Sequence, residues 1–320
     1  MPQASHSPKS ILAVVVLYNC EPSQSQSASA LFQILNENAE LGKHFSLVLY
    51  DNSPQAQSHL VPADFPVHYV HDPSNGGLAS AYNFALARAE SEQREWLLLM
   101  DQDTSPTREF MFELLEAAAS LHAQPDVAAI VPKLTVHGTV HSPAIPFLEQ
   151  MRRQFMPPIQ PIGLDVVGVL QRRMCSYNSG STLRVSAVRS VGGFPAEFWL
   201  DYLDHAIFHA LFAGGYRIYV MRSTLAHEAS YANLDRLSFW RMHNVLMAQT
   251  LYVKRNGNFT DRLLYRFWLL RHSRNLRRAC KDPHIWREAA LQALLFRAPK
   301  PASTSPSAPP RGKSGIDEQI

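Results

Sequence analysis

The sequence predicts an α/β fold: an open, mostly parallel central sheet flanked by helices, with a helical extension toward the C-terminal end. Three observations carry that expectation. Over the first 135 residues, short apolar runs alternate with helical patterns. The first run, Ile11–Leu17, is continuous and rich in β-branched residues, as in a strand covered on both faces. Polar clusters follow the apolar runs at their carboxyl ends, the edge of such sheets where ligands bind.

Taken in order, Ile11–Leu17 reads as a strand and residues 28–41 carry helical spacing. Phe45–Tyr50 is a second strand, closed by the turn sequence Asp51-Asn52-Ser53-Pro54. Val67–Val70 is a short third strand, after which Asn75-Gly76-Gly77 opens an alanine-rich helix over 78–90. Trp96–Met100 is a fourth strand carrying Asp101-Gln102-Asp103-Thr104 at its end. A helix over 107–122 and a strand over 127–131 complete the alternation, and right-handed crossovers then place Tyr18-Asn19, Asp51-Asn52, Asn75-Gly76 and Asp101/Asp103 on one rim.

From His137 to Ser176 the pattern fails, broken by five prolines and punctuated by Arg152-Arg153 and Arg172-Arg173, so a long loop is expected there. A strand over 179–184, a helix over 201–214 ended by Gly214-Gly215, and a strand over 216–220 follow. Residues 234–255, 261–280 and 284–297 read as helices. The polar residues 1–10 and the Pro- and Ser-rich residues 298–320 are expected to be disordered.

Composition bounds the rest. The chain has 320 residues, 46% apolar and 18% charged, enough for one large α/β domain with an appendage. A formal net charge of +3 gives no general case for nucleic acid. Cys20, Cys175 and Cys280 are scattered, so a zinc site or disulfide framework is not expected. No signal-like segment and no apolar run of spanning length is present, and a cytoplasmic location is expected. The turn after the first strand, Tyr18-Asn19-Cys20-Glu21-Pro22, lacks the glycines of a dinucleotide fingerprint, which excludes a nicotinamide dehydrogenase of that type. It is also not the Gly-rich basic loop a nucleotidyltransferase would place there.

The acid pair Asp101 and Asp103 carries the chemical case. Two carboxylates on a turn at a strand end suit a hard divalent cation, Mg²⁺ or Mn²⁺, that keeps positions open for phosphate oxygens. Alone the tripeptide is ambiguous, because Asp103 or Thr104 could simply cap the following helix. The segments around it are more specific in combination. VVVLYN at 14–19, YDNSP at 50–54, NGGLASAYNFAL at 75–86 and LLLMDQD at 97–103 occur in that order. NSGSTLR at 178–184, VGGFPAEFWLDYLDHAI at 191–207, AGGYRI at 213–218 and a later His227 follow.

This series resembles the family 2 glycosyltransferases of GT-A fold, most closely the bacterial rhamnosyltransferase-like members that build surface polysaccharides, over roughly residues 11–256. The resemblance implies a GT-A domain over 11–256 (a nucleotide-binding half, 11–135, and an acceptor half, 136–256), with a basic helical extension over 257–297. It implies that Tyr18, Asn19 and Asp51 contact the base and ribose of a nucleotide sugar, and that Asn75, Gly76 and Gly77 bring backbone to the nucleotide. Asp103 is the expected metal ligand, with Asp101 on the metal or the ribose, and His227 the residue that completes the site. Asn83 matches a recurring asparagine of the family, with helix packing an equal reading.

A direct displacement at an anomeric carbon also needs a base for the acceptor hydroxyl. The resemblance assigns Asp204 to that role, with Asp201, one turn earlier, as the competitor. Two departures stand out: His205 and His209 occupy a stretch where relatives place an arginine, and His243 replaces another.

Further expectations are transfer from dTDP-L-rhamnose, with UDP-hexose or UDP-galactofuranose as alternative donors, to a polysaccharide or lipid-linked glycan. A non-catalytic scaffold is the alternative from another class. Between Arg262 and Lys300, ten Lys or Arg face two acids and are interleaved with aromatic residues, so peripheral contact with the inner face of the plasma membrane is expected and nucleic acid is not.

Overall fold

The computed structural model describes residues 11–57, 62–154, 160–226, 238–279 and 282–297. The chain divides into two compact units, Met1–Phe147 with Pro158–His227, and Leu148–Pro157 with Glu228–Ile320.

In the first unit, β1 (Ile11–Leu17) leads to α1 (Gln26–Glu37), the short α2 (Ala39–Gly42) and β2 (Phe45–Asp51). β3 (Val67–His71), α3 (Gly77–Ser91), β4 (Trp96–Asp101) and α4 (Arg108–Ser120) continue the alternation. β1, β2, β3 and β4 are mutually parallel in the order β3-β2-β1-β4. Every residue of β1 and β2 is buried, as their unbroken apolar runs require when both faces are covered. Leu31, Leu35, Phe110, Met111 and Leu114 from α1 and α4 cluster with alternate strand residues, Val15, Leu47, Leu98 and Met100 among them. α3 packs against β1 and β4.

The remainder of the sheet departs from the expected parallel run. β5 (Val127–Val136) is ten residues long and pairs with β6 (Thr139–Ser142) as a hairpin through His137-Gly138, both at positive φ. α5 (Phe147–Gln154) and the two-residue β7 (Gly168–Val169) also fall inside the segment expected to be loop. Pro143 and Pro146, which sit between β6 and α5 and not within them, hide these elements in the sequence. β8 (Thr182–Arg184) then inserts antiparallel between β4 and β5, and β9 (Arg217–Ala226) adds parallel to β5, with β7 antiparallel at the edge. The result is a mixed sheet, β3-β2-β1-β4-β8-β5-β9-β7, among the described residues. Helices α6 (Val185–Ser190) and α7 (Leu203–Ala213) lie between β8 and β9 in sequence.

Arg184 anchors the insertion. Its guanidinium, 5% exposed, pairs with Glu95, donates to Val127 O (2.9 Å) and Leu121 O (2.8 Å), and lies 4.2 Å above the Trp96 ring. One side chain therefore ties β8 to both neighbouring parts of the sheet.

The second unit contains α5 and three long helices, α8 (Phe239–Asn256), α9 (Phe259–Ala279) and α10 (Pro283–Leu295). Ser238 caps α8 through Arg241 N (3.2 Å), and Asp282 caps α10 through His284 N (2.8 Å) with Pro283 in the first turn. Arg152 on α5 grips Asp261 on α9 with two hydrogen bonds of 2.6 Å. Among the described residues no helix is long and apolar enough to cross a membrane.

Candidate functional site

The rim expected from the strand order is present, and it is cross-linked by its own side chains. At the end of β1, Tyr18 N donates to Gln102 Oε1 (2.8 Å) and Asn19 N donates to Ser53 Oγ (2.8 Å). Asn19 is exposed, in the left-handed region at φ 48°. Gln102, the middle residue of the acidic turn, therefore joins the β4 end to the β1 end, while Ser53 joins β1 to β2.

Asp51 sits at the end of β2, fully buried. Its Oδ1 accepts from Ser53 N (2.9 Å); its Oδ2 accepts from Gln57 N (2.9 Å) and from the Tyr69 hydroxyl (2.5 Å). These bonds hold the Asp51–Gln57 turn in shape. Burial, and then the hydrogen bond to Asp51, push the Tyr69 phenol up to about 12.

The Asn75-Gly76-Gly77 turn is organised from within the protein. Asp72 accepts from Ser74 N (3.0 Å), the Tyr50 hydroxyl (3.0 Å) and Gly76 N (3.3 Å). Burial pushes the Asp72 carboxyl up, but these bonds outweigh it and hold the group below its ordinary range. Gly77, at φ 76°, is approached closely by Trp199: a Cβ there would lie 2.2 Å from Trp199 O. Leu78 N donates to Trp199 O (2.8 Å), and Trp199 Nε1 donates to Asn75 O (2.8 Å). Gly77, one of the glycines expected to bring backbone close to the nucleotide, makes room for Trp199, two residues before Asp201. Asn83 likewise clamps the 191–194 turn, donating to Phe194 O (2.7 Å) and accepting from Phe194 N (3.0 Å), which makes it a packing amide.

The acidic turn is held from three directions. Ser27 on α1 donates to Asp101 O and Thr104 O and accepts from Thr104 N (3.3 Å), while Ser25 donates to Gln102 O (2.9 Å). Ser179, fully buried before β8, donates to Asp101 Oδ2 (2.7 Å) and accepts from Asp101 N (3.1 Å) and Thr104 Oγ1 (3.1 Å). The Tyr82 hydroxyl reaches Asp101 Oδ1 at 3.4 Å. Helix α4 is capped by Thr107, through Phe110 N (3.2 Å), so neither Asp103 nor Thr104 is its cap. Asp103, half-buried, lies one turn of chain beyond Asp101.

Asp204 arrives in the first turn of α7, where its carboxylate accepts from His205 N (2.7 Å). The helix begins from Tyr202 at φ 62°, a left-handed residue whose ring stacks on His205 (4.8 Å between centroids, 25°) and meets Phe147 edge-on (5.9 Å). Burial pushes the Asp204 carboxyl up; His205 opposes this, and Asp201 and Asp101 add to it. The Tyr82 phenol is pushed well up by burial and then by Asp101, with Asp204 and Asp103 contributing. Tyr177 is raised to about 12 by burial and then by Asp204. Asp101, Asp103 and Asp204 therefore all act electrostatically on Tyr82, although Asp101 and Asp204 lie 103 positions apart in the chain.

A divalent cation suits this donor chemistry: Asp101 and Asp103 offer hard carboxylate oxygens, and such ions complete their shell with water and phosphate. Among the described residues no group of three or more His, Cys, Asp or Glu forms a metal cage. His227 lies outside the described residues. Ser25, Ser27 and Ser179 were not anticipated; the NSGSTLR segment marked the place of Ser179 but not its task.

Residues 14–161 match glycosyl transferase family 2. S. aureus TarS 1–349 in complex with UDP-GlcNAc is similar in structure, with TM-score 0.51, 16% identity, 89% of this chain covered and 81% of that one. M. tuberculosis glucosyl-3-phosphoglycerate synthase gives TM-score 0.49 and 12% identity over 78% of this chain and 81% of that one. Against a longer S. aureus TarS crystal structure (TM-score 0.49, 16% identity, 82% of this chain), the match spans 43% of that chain. No curated protein matches the sequence. The fold is the α/β GT-A fold.

Proposed function

We propose that this chain, matched to glycosyl transferase family 2 over residues 14–161, transfers a sugar from a nucleotide donor to a glycan hydroxyl with inversion. The observation that carries the reading is the acid pair Asp101 and Asp103 at the carboxyl end of β4, with Ser179 and Tyr82 on Asp101 and with Asp204 acting electrostatically on the same Tyr82. Asp204 serves as base: its carboxylate takes the proton of the acceptor hydroxyl as that oxygen bonds the anomeric carbon. The bond from that carbon to the diphosphate oxygen breaks with its electron pair, and the nucleoside diphosphate departs. Asp201 is the neighbouring acid that tunes Asp204.

Asp103, with Asp101, would hold Mg²⁺ or Mn²⁺, which when bound supplies positive charge to the leaving diphosphate; His227 is the proposed additional ligand. Tyr18 and Asn19 line the nucleoside end, and Asp51 shapes the turn against which base and ribose rest. The Asn75-Gly76-Gly77 turn serves the donor through its link to Trp199. The donor is proposed as dTDP-L-rhamnose and the acceptor as a surface polysaccharide or lipid-linked glycan, on the resemblance of the sequence. The TarS complex with UDP-GlcNAc supports a nucleotide-sugar partner and keeps a UDP-sugar as the second reading.

A thermal-shift panel of nucleoside diphosphates, with and without Mn²⁺, tests both readings. A metal-dependent shift is expected, larger for dTDP under the first reading and for UDP under the second. Asp204→Asn is expected to keep that shift and lose transfer. Equal, metal-independent shifts, or full transfer by Asp103→Ala, would end the proposal.

A further inference from the structure

We infer that α9 is a lipid-facing helix, which docks the chain on an anionic phospholipid surface through a face turned away from its own packing. Asp261, Tyr265, Leu269, Ser273 and Leu276 form its buried stripe at helical spacing. Phe259, Leu263, Phe267 and Leu270, spaced four, four and three residues apart, form a second stripe, and it is exposed: Phe259 at 81%, Phe267 at 51%. At 100° per residue this stripe lies well round the helix from the buried one. Large apolar side chains so aligned on an outward face have a cost in water that burial would recover.

The charge around the stripe specifies what covers it. Arg262 and Arg266 border one edge, Arg271 and Arg278 the other, and Arg274 and Arg277 continue its line; all six are exposed. The acids nearby in sequence are already engaged: Asp261 by Arg152, Glu288 beside His243, and Asp282 capping α10. Arg262 and Arg266 donate to main-chain carbonyls of Lys254, Ala293 and Leu294, which leaves their charge uncompensated. An apolar ridge fenced by arginines complements a layer whose headgroups are negative and whose interior is hydrocarbon. A second copy of the same face would bring the two arginine fences together, and a nucleic acid would leave Leu263 and Leu270 in water. The inference does not depend on the transferase reading.

The test uses the full chain in sedimentation with phosphatidylglycerol-rich or pure phosphatidylcholine vesicles. Binding is expected to be at least about tenfold tighter on the anionic vesicles and to weaken with salt. The pair Phe267→Ser with Leu270→Ser, and separately Arg274→Ser with Arg278→Ser, should each lower it about tenfold with an unchanged melting temperature. Because these side chains are exposed, transfer to a water-soluble acceptor should persist in both. Equal binding to neutral vesicles, binding that both variants retain, or variants that abolish self-association or oligonucleotide binding instead would overturn the inference.

Discussion

Ser179 decides how Asp101 is presented. It donates to one carboxylate oxygen and receives both Asp101 N and Thr104 Oγ1, so it fixes side chain and turn together. Ser179→Ala leaves those groups without this buried partner, a loss on the order of 1–3 kcal/mol. It is expected to weaken metal-dependent donor binding about tenfold, read by titration, with a smaller change in acceptor KM. The acid at 204 makes the second residue-level prediction. Its folded-state pKa lies above its unfolded value, so the folded state holds the proton to higher pH. The neutral form's contribution to stability is present below the unfolded pKa and is lost as pH rises through the folded one. The base form exists only above that raised value. The acidic limb of kcat/KM is therefore expected above the ordinary carboxylate range near about 3.9, and absent from the residual rate of Asp204→Asn. Asp101 and Asp103 were legible as a carboxylate pair at a strand end, and Asp204 through the resemblance of its segment. Ser179 was not, since a serine carries no periodicity and its partner is 78 residues away.

The element that links the two halves of the site is the pairing of the 75–77 turn with Trp199. Gly77→Ala puts a Cβ 2.2 Å from a backbone oxygen and strains a residue at φ 76°. It is expected to cost about 2–4 kcal/mol, read from the urea midpoint. Because Trp199 leads directly into the segment bearing Asp201 and Asp204, kcat is expected to fall beyond what the lost folded population explains. The strand and helix pattern of the first 135 residues was readable because each element has one period and short, polar connections. α1 starts two residues earlier than its pattern and ends at Glu37, because Ser25 caps it and Asn38 leaves helical geometry. The elements within 137–176 were not readable. A four-residue strand, an eight-residue helix and a two-residue strand are too short to show a period, and their partners supply the reason for their shape.

At the scale of the whole molecule, sheet continuity rests on Arg184. Arg184→Ala would leave Glu95, 12% exposed, and several carbonyls without their buried partner. A loss of roughly 3–5 kcal/mol is expected, read by chemical denaturation, with Arg184→Lys recovering only part because an ammonium lacks the planar fork. The amino-acid sequence by itself determined the α/β class and the rim of polar turns that carries Asp101 and Asp103, because hydrophobic period and turn chemistry are local properties; Asp204 was singled out only by the resemblance of its segment. Only the tertiary structure decided that β8 enters antiparallel, that Gly77 makes room for Trp199, and that Ser179 holds Asp101. Those facts depend on contacts between residues 78 to 122 positions apart, and distant pairings leave no mark on local pattern.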